Sequence, residues 1–155
     1  MSTRHHYRIE LVDQTPADDA DVRVLGPADC DALAPLMLAA YAGTTDDEGE
    51  SLDEAVAEID GWLENGGRLD RSYGYEVDGR LRSAALVSVV PKGAVLAYVI
   101  THPDDKQHGY GRRVVQAALG HLHGDGHLDV HLWITEGNVP SERLFAGLGA
   151  ERVDD

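Results

Sequence analysis

The chain has one cysteine in 155 residues, Cys30. It forms no internal disulfide, and without a cysteine pair there is no thiolate set for a structural zinc site, so nothing calls for an oxidising compartment. A lone cysteine of this kind is expected to act as a small buried hydrophobe. Basic residues are scarce as well: 13 Lys and Arg stand against 28 Asp and Glu, a formal net charge of −15. Such a surface repels phosphate backbones and anionic membranes, which argues against a general nucleic-acid or membrane binder. Long apolar runs are missing too. No signal-peptide stretch follows Met1–Tyr7, and no window reaches the roughly 20 apolar residues of a membrane span. The expectation is a soluble, cytoplasmic protein.

What is present is enough for a core: 43% of residues are hydrophobic, and the length suits one domain over 1–155. Tyr7, Ile9 and Leu11 alternate with Arg8 and Glu10, predicting a short strand from Tyr7 to Val12 within an N-terminal extension, residues 1–20. Val22–Leu25 is a second short strand, followed by an Ala/Leu-rich helix to Tyr41 in which Pro35 should shift or kink the start. After the acidic loop Gly43–Glu50, Ser51-Leu52-Asp53-Glu54 reads as a capping box. Leu52, Val56, Ile59 and Leu63 then form the predicted buried stripe of a second helix, with Trp62 also in the core.

From Ser72 to Thr101 the pattern turns to strands. Asp78-Gly79 is a type I′ hairpin signal and Pro91-Lys92-Gly93 a further turn, giving a three-strand meander. Helical spacing returns over Gly109–His123, with Val114, Val115, Ala118, Leu119 and Leu122 on one face. Val130, Leu132 and Ile134 form a strand. Asn138-Val139-Pro140-Ser141 opens a last helix, whose apolar face is Leu144, Phe145 and Leu148. This order implies one mixed α/β sheet with helices packed on it.

The chemistry concentrates between Ala94 and Arg113, where an apolar strand runs through a loop into a helix. Helix starts expose amide N–H groups, and glycines there let the backbone close around a phosphate without β-carbons in the way. Lys106, Arg112 and Arg113 put three cations into eight residues of an acidic protein, which points to an anionic ligand. A Gly-rich turn beside a solvated basic helix end is the plainer account of the same residues. The pattern is not a P-loop, because no Gly-Lys-Ser/Thr follows, and it lacks the full dinucleotide fingerprint.

Lys106-x-x-Gly109-x-Gly111, after a strand and His102-Pro103, resembles the acyl-CoA loop of GNAT-type N-acetyltransferases. A second element of that family appears at the expected distance: a strand over Val130–Thr135, then Asn138, then a helix ending Leu144-Phe145-Ala146-Gly147-Leu148-Gly149-Ala150. The resemblance covers roughly residues 21 to 153. It implies a single-domain α/β GNAT-like fold with a mixed, mostly antiparallel sheet, a splayed central strand pair and flanking helices. To these the chain adds an extra N-terminal strand, and its C-terminal strands are shortened.

By resemblance, acetyl-CoA is the co-substrate. Val99, Ile100 and Thr101 pair through their main chain with the pantetheine arm. Lys106, Gln107, His108, Gly109, Tyr110, Gly111 and Arg112 wrap the pyrophosphate, and Asn138 contacts the pantetheine from the other side. The reaction implied is direct attack of a primary amine on the thioester. Tyr98, where many relatives carry Glu, is the catalytic candidate as acid, base or water holder; His102 lies nearby, with its side chain expected to point away. The acceptor is a small-molecule or peptide amine, and the loop carboxylates Asp46, Asp47, Glu48 and Glu50 suit a cationic one, although a charge run is also what a solvated loop contains.

Two departures accompany the resemblance. Phe145 stands where relatives commonly have a Tyr able to protonate the leaving thiolate, a contribution of about 10² to 10⁴ in rate for general acid catalysis. That favours, as an alternative, a non-catalytic acyl-CoA sensor or interaction module of the same fold; an unrelated nucleotide binder is a third reading. The short C-terminus leaves a sheet edge that the N-terminal strand, or the same edge of a second copy in a homodimer, is expected to fill. His121, His123, His127 and His131 straddle a helix end, a turn and a strand without converging, so no metal is expected. Trp133 is expected beside the cleft.

Overall fold

The computed structural model describes residues 3–12, 21–44, 49–105 and 108–153. Seven strands and four helices follow in the order β1 (Arg4–Glu10), β2 (Val22–Val24), α1 (Cys30–Tyr41), α2 (Leu52–Glu64), β3 (Gly67–Val77), β4 (Arg80–Val90), β5 (Gly93–Thr101), α3 (Tyr110–Gly124), β6 (Asp129–Thr135), α4 (Val139–Gly147) and β7 (Glu151–Arg152). Short 3-10 turns over Pro27–Asp29 and Pro103–Asp105 precede α1 and α3. One sheet has the order β2-β3-β4-β5-β6-β1-β7. All pairings are antiparallel except β5 with β6.

Local chemistry accounts for most boundaries. Asp78 and Gly79 have φ of 51° and 76°, the two positive values a type I′ turn needs between β3 and β4. The Ser51 side chain accepts from the Glu54 amide at 3.2 Å while the Glu54 carboxylate accepts from the Ser51 amide at 3.2 Å, so the capping box starts α2. Helix α1 runs on through Pro35, giving up one intrahelical bond rather than ending.

Two cores sandwich the sheet. On one face α3 and α4 pack Val114, Val115, Leu119, Leu122 and Phe145 against Ile9, Val87, Leu96, Val130 and Leu132. On the other, α1 and α2 pack Leu33, Met37, Ala55, Ile59 and Trp62 against Leu86 and Ile100. This corrects two expectations. The buried stripe of α2 is Ala55, Ile59 and Trp62, while Leu52 and Val56 are exposed, because the helix turns toward the indole of Trp62. Cys30 is half-buried rather than fully buried.

The N-terminal strand lies inside the sheet, between β6 and β7. β1 pairs with β6 over Arg4–Glu10 and with β7 at Tyr7 and Arg8. It starts and ends slightly before the predicted Tyr7–Val12, although Leu11 still donates to the Leu128 carbonyl at 2.9 Å.

At the opposite edge, Arg23 of β2 binds Asp29 through two hydrogen bonds of 2.9 and 2.8 Å and Glu76 through a third of 3.0 Å. The Gly26 amide adds a bond of 2.8 Å to Asp29. Hydrogen bonding to Arg23 holds the Asp29 carboxyl below its usual range. A depressed folded-state pKa stabilises above the unfolded value and is lost as pH falls through the folded one. Asp29→Ala is therefore expected to cost about 1.5 to 3 kcal/mol at neutral pH, with the gap from wild type closing below about pH 4; urea midpoints at the two pH values measure it.

Candidate functional site

The central feature is a divergence of β5 from β6. The two pair in parallel only at Ala94–Val130 and Val95–His131, so beyond Val95 the facing edges part among the described residues. A β-bulge forces the departure: Leu86 of β4 lies opposite Tyr98 and its successor Val87 opposite Leu96, leaving Ala97 as the extra residue. Bulges of this kind bend a strand and re-aim the next side chain. Here Ala97 and Tyr98 both face α1 and α2, whereas Val99 faces α3.

On the α3 face, Gly109 has φ +80° and is the N-cap of α3, with no side-chain cap on the first turn. Among the described residues, a β-carbon on Gly109 would meet nothing within 4 Å. Gly111 is different: its β-carbon would come within 3.3 Å of Thr101 Oγ1 and 3.8 Å of Val99 Cγ1. Glycine there lets the first turn of α3 lie against the diverging end of β5. The amides of Tyr110, Gly111 and Arg112 precede the first intrahelical donor, Arg113, which bonds Gly109 O at 3.1 Å. An anion-accepting cradle thus sits beside the strand edge.

The sequence-predicted site residues divide accordingly. Val99, Ile100 and Thr101 lie on the free-edged part of β5; the Ile100 side chain is core, leaving its main chain for any contact. His108, Gly109, Tyr110, Gly111 and Arg112 lie at the start of α3, while Lys106 and Gln107 fall outside the described residues, as do Asp46, Asp47 and Glu48 of the acidic loop. The Tyr110 ring stacks on Tyr75 at 4.0 Å. Arg113 donates to the Tyr75 hydroxyl at 2.9 Å and to Asp21 at 3.4 Å, which turns it toward β3 and away from the loop. The Arg112 guanidinium lies over Gly147, where a β-carbon would be 3.1 Å away. Asn138 caps α4, its Oδ1 accepting from the Ser141 amide at 3.3 Å. His102 points at Arg82 and the Asp104 amide, 3.2 Å from each, as expected of a side chain turned from the cleft.

Phe145 is buried in the core shared with α3. Trp133 is 50% exposed and stacks on His6 of β1 at 4.6 Å. His121 stacks on Tyr73 and His131 bonds His6 at 2.8 Å. Among the described residues no group of three or more His, Cys, Asp or Glu could hold a metal ion. No helix is long and apolar enough to cross a membrane, again among the described residues.

On the other face, Tyr98 opens into a concavity between α1, α2 and β5 that is also lined by Tyr41, Glu50, Glu54, Glu58 and Arg4. The Tyr98 hydroxyl donates to Glu58 Oε1 at 2.5 Å. Burial, reinforced by this bond, raises the Tyr98 phenol well above its usual value. Glu58 was not among the residues singled out in the sequence. Its signal was the four-residue spacing of Glu50, Glu54 and Glu58, which stacks three carboxylates along one side of a helix and its lead-in.

Residues 73–155, a little over half of the chain, match the FR47-like protein family. No curated protein sequence matches. Among solved structures, the chain is similar to a GCN5-related N-acetyltransferase from Sphaerobacter thermophilus, with 14% identity, a TM-score of 0.74, and 98% of this chain and 49% of that one covered. It is similar to a GNAT-family acetyltransferase from Colwellia psychrerythraea at 16% identity and TM-score 0.70, covering 99% and 53%. A PaiA N-acetyltransferase from Thermoplasma acidophilum, solved in complex with coenzyme A, aligns at 17% identity and TM-score 0.63 over 81% and 86%. These are likenesses of fold, and the chain spans about half the length of the first two.

Proposed function

The chain belongs to the FR47-like, GNAT-type N-acetyltransferase family, and on that premise we propose that it transfers an acetyl group from acetyl-CoA to a primary amine by direct attack. The observation that carries this reading is the two-sided site on β5. Among the described residues, a glycine-started helix whose N-cap supplies no side chain adjoins the part of β5 that has no pairing with β6 on one face, and an acid-lined concavity opens at Tyr98 on the other.

In this reading the main chain of Val99, Ile100 and Thr101 holds the pantetheine as an added strand would. The first-turn amides of α3, with His108, Gly109 and Arg112 and with Lys106 and Gln107 of the adjoining segment, hold the pyrophosphate. Asn138 borders the pantetheine beyond the end of β6. Acetyl-CoA, when bound, supplies the activated carbonyl that the amine attacks. The absence of β-carbons at Gly109 and Gly111 supports the fit, because none of the described residues fills the space at Gly109 while Gly111 lies against the strand.

The acceptor enters through the concavity of Tyr41, Glu50, Glu54 and Tyr98, whose carboxylates favour a cationic amine. Glu50→Gln is expected to raise KM for spermidine about two- to five-fold with kcat unchanged, the worth of one partly exposed ion pair. Raising the salt concentration narrows the difference.

Thiol release from acetyl-CoA in the presence of a panel of amines tests the function. Amine-dependent release is the expected result. Binding of acetyl-CoA without it overturns the enzyme reading in favour of an acyl-CoA-binding sensor, which the buried phenyl ring of Phe145 favours by leaving that position without an acid.

A further inference from the structure

We propose that Glu58 is the general base of this site, receiving the proton of the acceptor ammonium through the Tyr98 hydroxyl. The proposal rests on the acyltransferase reading above and adds a residue and a proton path to it.

A primary amine near pKa 10 is almost wholly protonated at neutral pH and carries no lone pair with which to attack, so its proton needs a destination. Three features make Glu58 that destination. Its Oε1 accepts the Tyr98 proton at 2.5 Å, which leaves the lone pairs of the Tyr98 oxygen to accept from an ammonium. Both residues line the acid-bordered concavity. The bulge at Ala97 sets Tyr98 three residues beyond Val95, the last residue of β5 paired with β6, and one residue before the strand segment assigned to the pantetheine. Tyr98 is a poor base in its own right, because burial and the negative neighbour both disfavour a phenolate. It conducts a proton without keeping the charge.

The step balances. The ammonium N–H bond breaks with its electron pair left on nitrogen, and the proton joins the Tyr98 oxygen as the Tyr98 proton moves to Glu58. The pair ends as a neutral phenol and a neutral carboxylic acid. The freed lone pair forms the N–C bond as the C–S bond breaks, and the second nitrogen proton neutralises the departing sulfur. No protein acid is required at that last stage, which fits the phenyl ring of Phe145. The ionisable groups facing Glu58 are Tyr98 from β5, Glu54 and Glu50 from α2 and its lead-in, Tyr41 from α1 and Arg4 from β1.

The test compares wild type, Glu58→Gln, Glu58→Asp and Tyr98→Phe. Acetyl-CoA affinity is measured by calorimetry, and kcat/KM for spermidine and for benzylamine from about pH 5 to 10, a range that ends near the amine pKa. Affinity for acetyl-CoA is expected to match wild type in all three variants, which also reports that they fold. Glu58→Gln is expected to lose about 10²- to 10⁴-fold in kcat/KM near neutrality, the usual contribution of a general base. Its profile should rise about tenfold per pH unit toward the amine pKa, where only free amine reacts, while wild type stays flat because carboxylate and ammonium suffice. Glu58→Asp should keep the flat shape at reduced rate, and Tyr98→Phe should lose rate. A Glu58→Gln enzyme with an unchanged profile shape overturns the proposal, whatever its rate, since a structural role would lower the level alone. So does a wild type that binds acetyl-CoA yet turns over neither amine. If wild type fails to bind acetyl-CoA, the acyltransferase reading itself falls.

Discussion

Gly109→Glu is expected to abolish CoA binding while leaving the protein folded. Gly109 sits at φ +80° as the N-cap of α3, a conformation that costs an L-residue roughly 1 to 2 kcal/mol. A β-carbon there meets none of the described residues within 4 Å, so Gly109→Ala carries that backbone cost and no clash with them. Glutamate adds a carboxylate at the positive end of a helix, where it is favourable to the helix itself and offsets part of the strain. Its effect falls on the ligand, since it occupies the cradle with the wrong charge. Losing two charge-assisted bonds to a phosphate removes about 3 kcal/mol or more, over a hundredfold in Kd. Calorimetry of wild type, Gly109→Ala and Gly109→Glu with CoA and acetyl-CoA measures it. Wild-type binding, retention in the alanine variant and silence in the glutamate variant are the expected set. A glutamate variant that binds like wild type would mean the phosphates lie elsewhere.

The contrast between this loop and the acceptor side shows which parts of the molecule are readable from sequence. The hairpin at Asp78-Gly79 and the glycine start of α3 are local: each requires a positive φ, and each residue declares it. The alternation of Val130, Leu132 and Ile134 likewise commits one face of β6 to the core. The orientation of α2 is not local. Leu52, Val56, Ile59 and Leu63 form as good a stripe as Ala55, Ile59 and Trp62, and the two differ by a rotation of roughly 60° about the helix axis. Close packing decides between them: the Trp62 ring lies where a β-carbon on Gly67 would stand only 2.7 Å away. That same rotation brings Glu58, which stays solvent-exposed, onto the Tyr98 hydroxyl, so the placement of Glu58 and the choice of buried stripe have one cause. The bulge at Ala97 was hidden for a related reason, since one extra residue in a strand leaves no mark on composition or turn chemistry.

The N-terminal strand gives the largest expected effect on stability, because β1 lies between β6 and β7 and completes the sheet beside the cleft. Its seven residues pair with the whole of β6, from Arg4–Thr135 to Glu10–Asp129, and Val153 beyond β7 donates to the His6 carbonyl at 2.9 Å. Ile9 is 1% exposed and lies opposite Val130 in the core under α3. Ile9→Ala is expected to cost about 2 to 5 kcal/mol, a large part of the roughly 5 to 15 kcal/mol that holds a domain of this size together. Ile9→Asp is expected to unfold it, because a carboxylate at that position has no partner among the apolar side chains around it. Urea denaturation followed by circular dichroism measures both. Tyr7→Phe makes a useful companion, since it keeps the half-buried ring against the same core and should leave the midpoint nearly unchanged. The consequence extends to function because β6 forms one lip of the divergence from β5, and its outer edge is held only by β1 among the described residues. Ile9→Ala should therefore bind CoA with wild-type affinity in its folded fraction and lose binding in step with unfolding as urea rises. Binding that fails well before the unfolding transition would instead mean that β1 shapes the cleft directly.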